Sequence, residues 1–186
     1  MNPTSNKSDF EDLTTNLKDL AYSYLEKYNP SKQQLKVYLL KKYLTKIKGS
    51  KSKKEVTSII DEIVSNLEKN KLLNDEMYSD SKARMFLRRG YSLNKINQSL
   101  RNKGIDDKYV RQSINKIKEN QIDPDFVSAL KLCKRRRIGP LRPESNRELF
   151  YKKDMGILAR GGFSFDLSKR VLNLEGAEFK KLIKII

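Results

Sequence analysis

Leu100-Arg101-Asn102-Lys103-Gly104-Ile105 is the stretch that decides the fold, and a second version, Leu158-Ala159-Arg160-Gly161-Gly162-Phe163, follows 58 residues later. In each, an amphipathic run (Ile96 and Leu100, then Asp154 and Leu158) ends at a glycine with an apolar residue directly behind it. A further apolar residue, Ile114 or Leu172, returns nine positions on. That order reads as helix, left-handed glycine cap and apolar return into the next helix, so a helix-turn-helix is built twice. An array of small helical units fits this better than one layered α/β core. A more diverged copy lies upstream. Ser31, Leu35 and Leu39 ahead of Lys42 match Ser92, Ile96 and Leu100 ahead of Lys103, and Ala21 with Leu25 matches Ala83 with Leu87. The four-residue spacing is only the helical period; the order of the markers is what repeats.

A chain of 186 residues holds one or two ordinary domains, or three units of about 50 residues sharing one apolar seam. Hydrophobic residues are 37%, Pro plus Gly only 13 residues, and Trp is absent, so the expected class is all-α with long uninterrupted helices. The net charge of +17 calls for an anionic partner: nucleic acid, a nucleoprotein assembly, an acidic protein face or an anionic membrane surface. Because 28 of the 40 basic residues are Lys, solvation of helix faces is the competing explanation. One cysteine, Cys133, and no histidine exclude a disulfide framework, a Cys/His zinc site and the usual general base. No apolar run approaches the roughly 18 residues that span a bilayer, so a soluble, cytoplasmic protein is expected.

Along the chain, residues 1–12 form a polar, flexible lead. From Leu13 the positions Leu13, Leu17, Leu20, Ala21, Tyr24, Leu25 and Tyr28 trace one helical face up to Asn29-Pro30. A second helix runs over 31–47 and is broken by Gly49. Ser52-Lys53-Lys54-Glu55 is a capping box before the stripe Val56, Ile59, Ile60, Ile63, Val64 and Leu67. A fourth helix ends at Arg88-Arg89-Gly90, a fifth covers 92–103, and Asp106-Asp107 starts a sixth. Asp123-Pro124-Asp125 starts a seventh, to about Arg137, which Gly139-Pro140 stops. Ser145-Asn146-Arg147-Glu148 reads as another capping box, opening an eighth helix to Arg160, with a ninth over 165–174. The predicted organisation is a repeat over 13–73, a second over 74–122, a third over 123–176, and a tail over 177–186.

Leu72-Leu73-Asn74-Asp75-Glu76 before a Tyr/Ala helix, Arg88-Arg89-Gly90-Tyr91-Ser92, the Lys103-Gly104-Ile105 phrase and the later Gly162-Phe163 repeat together resemble the RecX family of recombination regulators. The resemblance runs from about Leu17 to Leu174 and is densest in the middle unit. It implies three tandem three-helix repeats in an elongated, curved array. It also implies binding to the RecA nucleoprotein filament, in whose groove such proteins lie, and inhibition of ATP turnover and strand exchange. A departure is the stretch 32–54, with nine lysines and no acids.

Lys131, Lys134, Arg135, Arg136, Arg137, Arg142, Arg147, Lys152 and Lys153 face only Glu144 and Glu148 over the same interval, a local excess of seven positive charges. Consecutive arginines fan round a helix, so at least one must leave a purely solvated face and approach the seam or a partner. Arg is also the side chain suited to bidentate carboxylate and phosphate contacts. A second patch comprises Arg84, Arg88, Arg89, Lys95, Arg101 and Lys103 in the middle unit, with Arg84 and Arg88 one turn apart. Tyr22, Tyr24, Tyr38, Tyr43, Phe86 and Phe163 lie among the basic residues, but helical spacing makes them core first and base-stacking second. There is no GxxxxGK[ST] and no GxGxxG, and Asp61, Glu62 and Glu68 lie on an ordinary amphipathic helix. No catalytic residue, metal or cofactor is expected. The sequence therefore predicts a monomeric regulator of a RecA filament involved in DNA repair and the SOS response; the alternative is a helical-repeat protein that binds single- or double-stranded DNA directly.

Overall fold

The computed structural model describes residues 3–47 and 52–185, so the Gly49 break lies outside the described residues. The helices in order are α1 (Pro3–Lys27), α2 (Lys32–Lys42), α3 (Lys53–Lys69), α4 (Asp75–Arg88), α5 (Leu93–Arg101), α6 (Asp107–Asn120), α7 (Pro124–Arg136), α8 (Glu144–Arg160), α9 (Phe165–Leu172) and α10 (Gly176–Ile185). A π-helical turn, Tyr43–Ile47, continues α2, and a 3-10 turn, Gly139–Leu141, precedes α8. No strand occurs among the described residues, and the protein is all-α. The element order is compatible with three groups of three helices followed by α10.

Most helix starts follow the caps legible in the sequence. Ser52 accepts from the Glu55 amide at 3.3 Å while the Glu55 carboxylate accepts from the Ser52 amide at 2.8 Å. Asp106 and Asp123 accept from the amides of Lys108 and Phe126. Three boundaries differ. α1 begins at Pro3, ahead of the Leu13 at which its apolar face starts. The regular part of α2 stops at Lys42 and its last stretch loosens into the π turn. α8 starts at Glu144 with Pro143 as its N-cap and no side-chain cap bond, so the box expected at Ser145 is not formed. The proline's preset φ begins the helix, which leaves Ser145 already inside its first turn.

Two compact units are distinguished by their internal packing: residues Met1–Tyr78 with Lys103–Ile105, and Ser79–Asn102 with Asp106–Ile186. In the first, Leu13, Leu17 and Ala21 of α1, Leu35 and Leu39 of α2 and the α3 stripe from Val56 to Leu67 form one core. A fully buried aliphatic side chain of this kind contributes about 1.5–3 kcal/mol, which is what holds these helices together. Tyr24 stacks on Tyr38 with ring centroids 4.0 Å apart, and Tyr43 is buried, so these tyrosines serve packing as their spacing predicts. In the second unit α7 contributes Ala129, Leu130, Leu132 and Cys133, which meet Ile138, Leu158, Phe163, Val171, Leu172 and Phe179. Phe179 places the tail residues, as α10, on that core.

The same hydrogen-bonded device recurs in both units. In the first, Ser31 caps α2 by accepting from the Gln34 amide at 3.2 Å, and its hydroxyl donates to the Lys103 carbonyl at 2.8 Å. The next amide, Lys32, donates to Asp75 Oδ1 at 2.9 Å. In the second, Ser92 accepts from the Lys95 amide at 3.1 Å and donates to the Gly162 carbonyl at 2.8 Å, while the Leu93 amide donates to Asp125 Oδ1 at 2.7 Å. Each serine therefore satisfies an orphan amide of its own helix and a carbonyl of a distant glycine turn at once. The turns need glycine: Gly104 has φ +72° and Gly162 φ +89°, and a Cβ at Gly162 would lie 2.4 Å from Ser92 Oγ.

Ser92→Ala should cost about 2–4 kcal/mol, about 1 for the lost cap and 1–3 for the carbonyl left unpaired. Ser164 caps α9 at 3.3 Å but its hydroxyl has no such distant acceptor among the described residues, so Ser164→Ala should cost only about 1 kcal/mol. Urea melts of the two variants check this, and equal losses would show that the long-range bond contributes nothing.

Candidate functional site

The strongest concentration of uncommitted positive charge is built at the end of α7. Apolar spacing turns Ala129, Leu130, Leu132 and Cys133 into the core, and the chain then carries Lys134, Arg135 and Arg136 into the last turn, where cations meet the negative end of the helix dipole. Arg137 takes the left-handed conformation, φ +53°, and redirects the chain so that Ile138 is buried. All four basic side chains are exposed. The helix ends before Arg137, and of the three consecutive arginines it is Arg135 whose guanidinium lies over a ring, that of Tyr91.

Arg135 and Arg136 border a cleft of about 390 Å³ with Tyr91, Leu132, Ile157 and Arg160. The Arg135 guanidinium lies 5.8 Å from the centroid of the Tyr91 ring, which Phe86 meets edge-on. No carboxylate lines this cleft, and among the described residues Arg135, Arg136 and Arg160 have no ion-pair partner. Arg160 and Tyr91 were not among the residues selected from the sequence. Both adjoin glycine turns, Gly90 and Gly161-Gly162, and that adjacency was the available signal.

Arg142 has an internal partner. Its Nε and Nη2 donate to the two oxygens of Asp154 at 2.6 and 2.7 Å, its guanidinium lies over the Phe150 ring, and Asp154 also accepts from the Gly139 amide. The hydrogen bonds it donates to Asp154 hold the guanidinium above its ordinary pKa. Asp154 is 1% exposed and the Arg142 side chain 20%, so the pair ties the loop before α8 to the framework. Arg147 likewise donates to the carbonyls of Pro140 and Leu174. Lys152 and Lys153 remain exposed on α8.

In the middle patch Arg84, Arg88 and Arg89 are exposed, Lys95 is half-buried and Arg101 pairs with Asp107 at 2.9 Å. Lys103 belongs to the first unit. Arg84 borders a second cleft, of about 300 Å³, floored by Ala83, Leu87 and Ile117. On its rim Lys116 pairs with Asp80 at 2.6 Å, and Ser113 donates to the same carboxylate. Burial pushes the Asp80 carboxyl up, but the bonds from Lys116 and Ser113 outweigh it and hold the pKa below the usual value. Burial, assisted by Asp154, pushes the Cys133 thiol to about 12, which leaves no nucleophilic thiolate there at neutral pH. Among the described residues no group of His, Cys, Asp or Glu could hold a metal ion, and no helix is long and apolar enough to cross a membrane.

Comparison with known proteins gives the chain its relatives. It is 33% identical over 161 residues to "Regulatory protein RecX" of Myxococcus xanthus (strain DK1622), a match covering 86% of this chain and 85% of that protein. It is 29% identical over 133 residues to "Regulatory protein RecX" of Clostridioides difficile (strain 630), covering 69% of this chain and 58% of that protein. No family model matches the chain. No solved structure matches it. The chain belongs to the RecX family.

Two outcomes test the assignment of charges. Arg142→Gln should destabilise the protein by about 3 kcal/mol, because Asp154 is left buried without its counter-ion; an unchanged melting temperature would show that the pair does not hold the loop. Asp80, with its folded pKa below the unfolded one, adds stability that is complete above the ordinary carboxylate value of about 4 and is lost as pH falls through the folded value. Asp80→Asn should remove that part of the acid limb in a pH series of melts.

Proposed function

We propose that this RecX-family chain binds the RecA nucleoprotein filament and inhibits its ATPase, recombinase and strand-exchange activities, thereby modulating DNA repair and the SOS response. The observation that carries the reading is the match over 85% of a protein named a regulatory protein, at 33% identity. The exposed arginines of α7 support it. A nucleoprotein filament is polyanionic, and solvent-facing guanidiniums without internal carboxylate partners suit phosphate and carboxylate groups alike. In this reading the protein acts as a monomer of three tandem three-helix repeats in the cytoplasm, needs no cofactor, and performs no chemistry of its own. It works by occupying a surface that the filament requires, with Arg135, Arg136 and Arg137 as one contact set and Arg84 with Arg88 as another.

RecA ATPase on single-stranded DNA, titrated with substoichiometric amounts of the protein, is the direct test, and inhibition is the expected result. Changing Arg135, Arg136 and Arg137 together to Glu should abolish that inhibition while the helical spectrum and melting stay near normal, since all three side chains are exposed. Arg84→Glu with Arg88→Glu should weaken inhibition in the same direction. Full inhibition by the triple variant removes the α7 set from the mechanism.

A further inference from the structure

The cleft bordered by Tyr91, Arg135, Arg136 and Arg160 has a composition that the overall charge of the chain does not explain. Lys outnumbers Arg by 28 to 12 in the sequence, so cations placed only to solvate helix faces would be mostly Lys. All the cations that line this cleft are Arg. They come from two separate elements, the last turn of α7 and the end of α8, and converge on one space of about 390 Å³. Its other walls are the Tyr91 ring and the side chains of Leu132 and Ile157. Arg135 already sits 5.8 Å from the Tyr91 ring centroid, and Phe86 fixes that ring from its edge. The cleft thus combines planar cations, one oriented ring and an apolar lining, and no negative charge to neutralise the arginines.

We infer that this cleft is a binding site for one nucleotide of single-stranded nucleic acid, with the phosphodiester held by Arg135, Arg136 and Arg160 and the base placed against Tyr91. Duplex is disfavoured because its paired, stacked bases present no free face to a ring, whereas an unpaired base can be splayed onto it. An acidic peptide would use the arginines but leaves the aromatic and apolar walls without a role. Guanidiniums suit the site twice over, since they bind phosphate oxygens bidentately and stack on base faces. The inference goes beyond filament binding and does not require it, because the site is complete within the second unit.

The test uses the full chain with no RecA present. Fluorescence anisotropy of a labelled oligo-dT and of an abasic oligomer of equal length is followed across a salt series. Arg135→Gln, Arg136→Gln and Arg160→Gln should each weaken binding of both oligomers, and each lost phosphate contact should lower the log–log salt slope by about 0.7. Tyr91→Leu should weaken oligo-dT binding by about 5- to 150-fold, the range for losing one stacked base, without weakening the abasic oligomer. Tyr91→Phe, which keeps the ring, should bind like the parent protein. Unchanged slopes in all three arginine variants would overturn the proposal. So would an equal loss on both oligomers in a Tyr91→Leu protein with normal melting. Displacement of oligo-dT by polyglutamate at matched charge concentration would overturn it too, in favour of an acidic protein ligand. Because RecA is absent, the filament reading can fail in its own assay while this one stands, and the reverse also holds.

Discussion

Hydroxyl groups that bond in two directions carry the architecture. α5 has nine residues and α9 eight, lengths at which an isolated helix does not persist in water, so their stability comes from what their faces and ends meet. Ser31 and Ser92 are both 0% exposed, and a buried helix start without partners would strand several amides. Each serine accepts an amide at the head of its helix and donates to the carbonyl of a turn about 70 residues further on. The turn that receives the bond must come close, and that closeness excludes a Cβ at Gly162, which would lie 2.4 Å from Ser92 Oγ. A serine and a glycine far apart in sequence therefore constrain each other. The adjacent carboxylate completes the arrangement at some electrostatic cost. Burial raises the pKa of Asp125, and the Leu93 amide that bonds to it lowers the pKa without fully offsetting the rise.

The net charge of +17 is what is left after 23 acids are set against 40 cations, and part of that cancellation is local. Several cations are spent inside the protein: Lys32 on Glu68, Lys36 on Asp61, Arg101 on Asp107, Lys116 on Asp80 and Arg142 on Asp154. The first three pairs are well exposed, and such pairs typically contribute about 0–1 kcal/mol, so they tidy the surface more than they stabilise it. The Arg142–Asp154 pair differs in kind because Asp154 has no water to fall back on. Among the cations that remain exposed, Lys134, Arg135, Arg136 and Arg137 stand in an unbroken run at the end of α7, and Arg160 joins two of them at one cleft.

Much of this was legible in the sequence, and the parts that were not have physical reasons. The caps at Ser52, Asp106 and Asp123, the left-handed glycines at 104 and 162, and the α3 stripe depend on near neighbours in the chain, which a sequence displays directly. The shared order of Ser31 and Ser92 was visible as a repeat, but the long-range acceptors were not, since nothing local points to Lys103 or Gly162. The expected box at Ser145 failed because a proline two positions earlier sets the backbone first. Arg160 and Tyr91 enter the site only through folding, which brings the end of α8 and the turn after α4 beside the end of α7.

Asp154 shows how repeat register carries information that composition hides. It occupies the place before Leu158 and Gly162 that Ile96 occupies before Leu100 and Gly104. Ile96 is 0% exposed and Asp154 is 1% exposed, so the register predicts burial correctly even though the residue is an acid. A carboxylate in an apolar slot must find a cation or strong donors, or become protonated. Arg142 and the Gly139 amide are those donors, supplied by the loop between α7 and α8. One substitution at a repeat position thus gives an arginine an internal partner and ties that loop to α8. The arginines just before the loop, which have no buried acid to answer, stay free to meet a partner.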